Sequence, residues 1–251
     1  MITIDKISAV IISKNVAETI KLTLDSLTAF KEVIIYDSGS TDDSLLIARK
    51  FSNVSIFQGD FLGFGPTKNH AISLATNDWI FSIDGDESLS NILIKHLSEI
   101  NPDSRLIGEI RRDNYFMGKE MKVAGWGRDK IIRLFNRKEY CFSDLIVHER
   151  VEIDSLANKI LLNGSISHYP VNNLSQTLEK ANLYSELYSK ENDNYYPIVI
   201  IILKSQFAFF RSYFIQRGFL AGWRGLVLSF ANSVGVFYKY IKIYARHKKK
   251  K

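Results

Sequence analysis

One cysteine, Cys141, in 251 residues excludes an internal disulfide, and with only five histidines the sequence gives no support to a Cys/His metal cluster. The beginning of the chain, with Asp5 and Lys6, lacks the apolar stretch of a signal region, and together with the sparse cysteine this leads us to expect a cytosolic protein. Long hydrophobic runs are missing too. Residues 197–203 fall far short of the roughly 20 needed to span a bilayer, and 218–240 is interrupted by Arg224 and several polar groups. Neither an internal repeat nor a low-complexity linker is found, so a solenoid and a disordered chain are both excluded, with disorder expected only at the terminal lysines. A composition of 46% hydrophobic and 24% charged residues suits a folded protein, long enough for one full-sized α/β domain and a helical appendage. The net charge of +6 points to an anionic partner, whether phospholipid, phosphorylated saccharide or nucleic acid.

Against these absences stands one acidic stretch, Asp78-Trp79-Ile80-Phe81-Ser82-Ile83-Asp84-Gly85-Asp86-Glu87, an apolar strand that ends in carboxylates. An open α/β sheet binds its ligands beyond the carboxyl ends of its strands. Hard cations such as Mg²⁺ and Mn²⁺ share themselves between one or two carboxylates and substrate phosphates, which suits Asp84 and Asp86. Asp-Gly is also a common turn pair, so this motif needs support from elsewhere.

The support lies upstream. Residues 7–15, Ile-Ser-Ala-Val-Ile-Ile-Ser-Lys-Asn, form a short apolar run without strict alternation, as expected of a strand buried on both faces of a parallel sheet. Ile20, Leu24 and Leu27 recur at helical spacing, and 32–37 makes a second apolar strand, completing a β-α-β unit. That strand runs into Asp37-Ser38-Gly39-Ser40-Thr41-Asp42-Asp43-Ser44, where Thr41 or Asp42 is placed to cap a following helix. A strand, a polar Gly-containing loop and a helix start suit a nucleotide pocket, because Gly lets backbone approach and Asp accepts hydrogen bonds from a base or ribose, and taken alone are equally readable as a plain connection.

Four segments in this order resemble the family 2 glycosyltransferases of the nucleotide-sugar-binding A-type fold. These are the strand and polar segment of 8–18, the Asp-x-Gly-Ser-x-Asp of 37–42, the Lys68-Asn69 pair ahead of the helix at 70–75, and the Asp-x-Asp of Asp84 and Asp86. The resemblance covers residues 5 to 90. It implies a mostly parallel sheet flanked by helices, with a nucleotide-sugar site built from Ser13, Asn15, Glu18, Asp37, Lys68, Asp84 and Asp86. Asp37 would contact uracil or ribose, Asp84 the ribose or sugar, and Asp86 a divalent metal, Mg²⁺ or Mn²⁺, bridging the two phosphates. Lys68 would lie near the nucleotide or diphosphate, following a loop shaped for close approach by Gly63, Gly65 and Pro66.

Glycosyl transfer needs a base to take the acceptor's hydroxyl proton, and the family implies an inverting single displacement with a carboxylate in that role. Residues 128–149, with Arg-Leu-Phe at 133–135 and His148-Glu149, resemble the lipopolysaccharide core glucosyltransferase subgroup. That resemblance points to Glu149 as the base, with Asp144 as the alternative. His148, Arg128 and Arg133 are candidates for diphosphate or an anionic acceptor, and Trp126, between Gly125 and Gly127, for a sugar face or a lid. A single His in an apolar strand is more often a structural residue than a ligand, and the two arginines are also readable as solubilising charges.

We place a catalytic domain at 1–168 and a helical region at 169–251. There Leu174, Leu178, Ala181, Tyr184, Leu187 and Tyr188 mark one apolar face and Leu203, Phe207, Phe210 and Phe214 another, both read as core. In the last helix Lys239, Lys242 and Arg246 gather opposite Val234, Tyr238 and Ile241, a pattern suited to peripheral attachment to an anionic membrane. The resemblance therefore implies a hexosyltransferase acting at the cytoplasmic face of an inner membrane, with UDP-glucose as donor and a lipid-linked lipopolysaccharide core saccharide, at its heptose region, as acceptor. Two other readings are a protein or peptide glycosyltransferase of the same fold and a basic nucleotide- or RNA-binding module without catalysis. The second lacks basic patches interleaved with exposed aromatics, so no nucleic acid partner is expected.

Overall fold

The computed structural model describes residues 3–101, 103–127, 129–145 and 149–249. The chain divides into two compact units, Met1–Asp113 with Arg128–His168, and Asn114–Gly127 with Tyr169–Lys251. Segment 114–127, including Trp126, groups with the C-terminal helices, a division that the expected boundary at 168/169 does not include.

In the first unit, strands β1 (Ile7–Ser13), β2 (Glu32–Asp37), β3 (Val54–Gln58) and β4 (Trp79–Asp84) run parallel in the order β3-β2-β1-β4. Their side chains alternate between two cores. Ala9, Ile11, Val33, Ile35, Phe81 and Ile83 face one, and Val10, Ile34, Tyr36 and Ile80 face the other. Burial on both faces explains the continuous apolar runs. Helices α1 (Ile20–Asp25), α2 (Ser44–Ala48) and α3 (Phe64–Ser73) connect these strands.

After β4 come β5 (Glu87–Leu89), α4 (Asn91–Glu99), β6 (Leu106–Phe116), β7 (Lys119–Glu120), β8 (Asp129–Asn136) and β9 (Asn158–Val171). The sheet continues from β4 as β8-β6-β9-β5, and the β8 pairings with β4 and β6 are antiparallel, as is that of β5 with β9. The α/β sheet flanked by helices is the fold class expected from the sequence.

One boundary differs from expectation. Lys68 and Asn69 lie inside α3, whose N-cap is Gly63 at φ 106°, and not in a loop before it. Pro66 sits in the first turn, where a missing N–H costs the helix nothing and its fixed φ favours helical backbone.

The second unit holds α5 (Leu174–Glu191), α6 (Ile198–Phe210) and α7 (Trp223–Lys249), with a π-helical turn at Arg211–Ile215 and a 3₁₀ turn at Gly218–Ala221. Phe116, Met121, Ala124, Val171 and Leu228 form its small buried core. The apolar stripes expected to be core are not. Leu174, Leu178, Leu203, Phe207, Phe210 and Phe214 are exposed, while α5 buries Ser185 and Ser189. The absence of a long apolar helix is also corrected. Because the π-helical turn continues α6, Ile198–Ile215 makes an 18-residue helix of mean hydropathy 1.6, long and apolar enough to cross a membrane, of which 11% is buried.

Candidate functional site

The ends of the parallel strands gather the predicted residues. In register, Ser13 at the end of β1 pairs with Asp37 of β2, and Ile12 pairs with Asp84 of β4, so the two carboxylates flank the end of one strand. The loops that follow are stitched together. The Asn15 amide donates to Ser40 Oγ at 2.9 Å, and Asn15 Oδ1 accepts from the Thr41 amide at 2.8 Å. Asp42 accepts from the Ser44 hydroxyl and from the Ala17 and Ser44 amides, the amides at 3.0 Å each; burial pushes its pKa up, and these bonds, the hydroxyl foremost, hold it below the ordinary carboxylate value. Asp37 is fully buried and its carboxylate is occupied. It accepts from Ser13 Oγ at 3.2 Å, from the Gly39 and Ser40 amides at 3.1 and 2.9 Å, and from the Ser40 hydroxyl. The first role visible for Asp37 is therefore to shape the loop. Glu18 is exposed just ahead of α1.

Beside β4, a chain of charges is set into the protein. Lys68, 5% exposed, places its Nζ 3.0 Å from Asp84 Oδ1 and 2.8 Å from Glu149 Oε1. On the other side, Arg133 donates from Nη2 to Asp84 Oδ2 at 2.7 Å and to Glu87 Oε1 at 2.6 Å. Glu87 is wholly buried and also accepts the Asp84 amide at 3.1 Å. Burial disfavours charge on Asp84, but Arg133 and Lys68 outweigh it and hold its pKa well below the usual range. Burial likewise opposes charge on Lys68 and Arg133, and their carboxylate partners overcome it and raise both. Asp84, Lys68 and Arg133 are therefore ionised at neutral pH. The cluster borders an open cleft of 430 Å³ lined by Lys68, Asp84, Arg133, Phe142 and Glu149, which continues to Lys130, Arg150 and Lys159.

The Lys68-Asn69 pair owes its spacing to α3. Successive helical residues diverge by about 100°, so Lys68 reaches the carboxylates while Asn69 turns to the segment carrying Glu149. Asn69 Nδ2 donates to the Phe142 carbonyl at 2.8 Å, and its Oδ1 accepts the Phe142 amide at 2.9 Å. Gly65 makes that approach feasible, since a Cβ there would lie 1.9 Å from the Ser143 carbonyl oxygen. Phe142 and Val151 pair as an antiparallel bridge, closing the loop that contains Asp144 and Glu149. Asp144 is exposed on it.

Asp86 lies 3.6 Å from His168 Nε2, brought there by the pairing of Glu87 with His168 between β5 and β9. Burial lowers the His168 pKa, outweighing the pull of Asp86 and Glu87, and so favours the neutral imidazole that can ligate a metal. Among the described residues no three His, Cys, Asp or Glu side chains form a ready-made cage. The Asp86 carboxylate suits a Mg²⁺ or Mn²⁺ whose shell phosphate oxygens complete, and the His168 imidazole fits the transition metal of the two, Mn²⁺.

Of the remaining candidates, Trp126 belongs to the second unit, where its ring meets Phe116 edge-on at 5.7 Å. Arg128 and His148 lie outside the described residues. Sequence reasoning missed Glu87, Arg112, which is 3.5 Å from Glu87, and His168 as site residues. Glu87 was within reach as the third acid of its stretch, whereas no local signal marks His168.

The model for glycosyl transferase family 2 matches residues 8–146. An uncharacterised glycosyltransferase of Rickettsia typhi is 30% identical over 95% of this chain and 86% of its own length. The chain belongs to glycosyl transferase family 2. This family 2 glycosyltransferase is also similar to the lipopolysaccharide core biosynthesis glycosyltransferase LpsC of Rhizobium meliloti, at 25% identity over 96% of this chain and 93% of that protein. Among solved structures, S. aureus TarS in complex with UDP aligns at 14% identity and a TM-score of 0.43, covering 98% of this chain and 92% of that one.

Proposed function

We propose that this enzyme transfers a hexose, glucose from UDP-glucose, to a lipid-linked lipopolysaccharide core acceptor at the cytoplasmic face of a membrane, by an inverting single displacement. The observation that carries the reading is the shared Lys68. It holds Glu149, from the far segment, beside Asp84 on the strand end where an α/β sheet receives its ligand. The lipopolysaccharide acceptor is supported by the name of the Rhizobium relative.

In this reading the loop held by Asp37, Ser13 and Asn15 receives the nucleoside, and Asp84, kept ionised by Arg133 and Lys68, accepts from ribose or sugar hydroxyls. Asp86 and His168 would hold the Mg²⁺ or Mn²⁺, which when bound supplies positive charge to the departing diphosphate. Glu149 takes the proton of the attacking hydroxyl, and its contact with Lys68 at 2.8 Å fixes the position of its carboxylate. Proton abstraction leaves a neutral carboxyl next to the ammonium, so Lys68 orients the base and keeps its pairing with Asp84 as the proton moves. Arg150 and Lys130 along the cleft suit an acceptor bearing anionic groups.

Calorimetric titration with UDP-glucose, UDP-galactose and UDP-N-acetylglucosamine, each with Mn²⁺ and with chelator, tests this donor site. Metal-dependent binding of UDP-glucose that disappears in Asp86→Ala is expected. Binding of another sugar instead, or equal binding with chelator, would overturn the donor or the metal assignment respectively.

A further inference from the structure

In the second unit, α6 and the turn after it direct most of their large apolar side chains outward. Between α6, its π-helical continuation and α7, hydroxylated and small residues make a large share of the contacts, beside the buried Ile201 and the Phe209–Phe230 ring pair at 4.8 Å. Ser205 Oγ donates to the Ser233 carbonyl at 3.0 Å, Ser229 Oγ contacts Ser212 Oγ at 3.1 Å, and Asn232 Nδ2 reaches the same hydroxyl at 3.1 Å. The backbone closes tightly at the turn, where a Cβ on Gly225 would lie 1.8 Å from the Gly218 carbonyl oxygen. Most of the large apolar side chains face outward. Val199, Leu203, Phe207, Phe210 and Phe214, at steps of three and four residues, form one stripe, each between 49% and 63% exposed. A helix pair folded in water buries its largest apolar side chains. Small residues with interhelical hydroxyl bonds inside and apolar side chains outside are the pattern of helices packed in lipid.

Charge identifies the occupant of this face. After Asp193 the sequence holds eleven Lys and Arg and no Asp or Glu. A second copy would oppose the same cations, whereas an anionic bilayer attracts them at about 1 kcal/mol per basic residue near its surface. We propose that α6 and the turn after it lie in the interfacial layer of an anionic lipid bilayer, with the Val199–Phe214 stripe toward the acyl chains.

The orientation follows from the neighbours. At about 1.5 Å per residue Ile198–Ile215 is roughly 27 Å long, near the thickness of a hydrocarbon core. Crossing would nonetheless carry α5 inward, because α5 and α6 both pack along α7. Helix α5 bears Glu179, Lys180, Glu186 and Lys190, with Glu186 paired to Lys242 of α7 at 3.2 Å. Lys204 also interrupts the apolar window, its Nζ lying 4.5 Å from the Tyr196 ring centroid. An in-plane helix satisfies these charges at the surface, with Lys204 reaching sideways to the headgroups. Phe219, Leu220 and Trp223, all exposed at the turn, then anchor the end of the helix, with Trp at the headgroup level it favours.

The inference shares with the proposed function only the membrane-bound acceptor, and it is tested without the reaction. Full-length protein is floated with vesicles of phosphatidylglycerol and phosphatidylcholine, and with phosphatidylcholine alone. We expect flotation with the anionic vesicles, weakened by salt, and a partition coefficient at least tenfold lower for Phe207→Ser/Phe210→Ser, since each buried Phe contributes that much or more. Vesicles carrying brominated acyl chains should quench Trp223, and the quenching should vanish in Trp223→Phe. The wild-type quenching reports independently if the double variant does not fold. Absence of flotation, unquenched Trp223, or a lipid-independent dimer dissociated by the double substitution as its sole effect would overturn the proposal. UDP-sugar binding is measured on the same samples. Flotation without donor binding removes the proposed function and leaves this inference standing, and donor binding without flotation does the reverse.

Discussion

Replacing Lys68 by Met takes away the ammonium shared by Asp84 and Glu149 while keeping an apolar stem near the Phe142 ring, whose centroid lies 5.2 Å from Nζ. Breaking a buried ion pair by removing one partner costs about 3–5 kcal/mol. Two features favour the lower end. Asp84 keeps Arg133 at 2.7 Å, and the Asp84 and Glu149 side chains are 29% and 16% exposed, so water relieves part of the loss. We therefore expect about 3 kcal/mol at pH 7, or a fall in Tm of about 6–12 °C for a chain of this size. The pH dependence is the sharper test. The raised pKa of Lys68 makes its stabilisation complete below the unfolded value near 10.4 and lost as pH rises through the folded one. The depressed pKa of Asp84 makes its share present above about 3.9 and lost as pH falls through the folded value. The difference between wild type and Lys68→Met should be flat from about pH 5 to 10 and shrink on both sides. Urea unfolding followed at the buried Trp79, in a background of W126F and W223F, reports on the first unit alone. A loss under about 1 kcal/mol at pH 7, or one that does not shrink as pH rises above about 10.4, would refute the idea that this lysine is a buried charge held by two carboxylates.

Glu149→Gln should lower transfer by about 10²-fold or more while leaving UDP-sugar binding nearly unchanged, as single-turnover assays beside calorimetry would show; near-normal transfer shifts the base to Asp144. In Gly65→Ala the new methyl meets the Ser143 carbonyl at 1.9 Å, which is backbone and cannot swing aside. It should cost about 1–3 kcal/mol and reduce kcat through displacement of the Glu149 loop, and unchanged melting and kcat would argue that this contact is slack. Asp37→Asn replaces one accepting oxygen by a donor that faces other donors, so about 1–3 kcal/mol is expected, with a larger KM for the nucleotide sugar and little change in kcat at saturation. A fall in kcat alone would place Asp37 in the chemistry and not in the loop.

The parallel half of the sheet was legible because its strands are buried on both sides, so that 7–13, 32–37 and 79–84 stand out as apolar runs closed by polar turns. The antiparallel extension was harder to read. Strand β6 carries Glu109, Arg111, Arg112 and Asp113 among its apolar residues, and its partners are set by tertiary pairing. The same difference divides the site. The acids of 84–87 are local to one strand end, whereas His168 arrives at Asp86 through the β5–β9 register, more than 80 residues away in sequence. Asn69 was visible as half of a pair, but its reason, the two hydrogen bonds to Phe142, needs the segment at 142–151 to be in place.

The helical region was misread for a different reason. Periodicity reports that one face of a helix is apolar, and the assumption that this face is the buried one comes from proteins folded in water. In α6 the spacing of Leu203, Phe207, Phe210 and Phe214 is that of a core helix, yet the side chains that touch α7 include Ser205 and Ser212. A period cannot distinguish a stripe facing a neighbouring helix from one facing lipid, since both require the same residues at the same steps. What separates them is the opposite face. A soluble amphipathic helix carries charge there, and α6 from Ile198 to Phe210 has Lys204 as its single charged residue, with Ser205 and Gln206 beside it. The charge that would solubilise such a hairpin is instead all of one sign along 194–251. An apolar helix that carries hydroxylated residues on its inner face and lies within an acid-free basic segment therefore already argues in sequence for a lipid surface, and the exposure of the stripe supplies the missing direction.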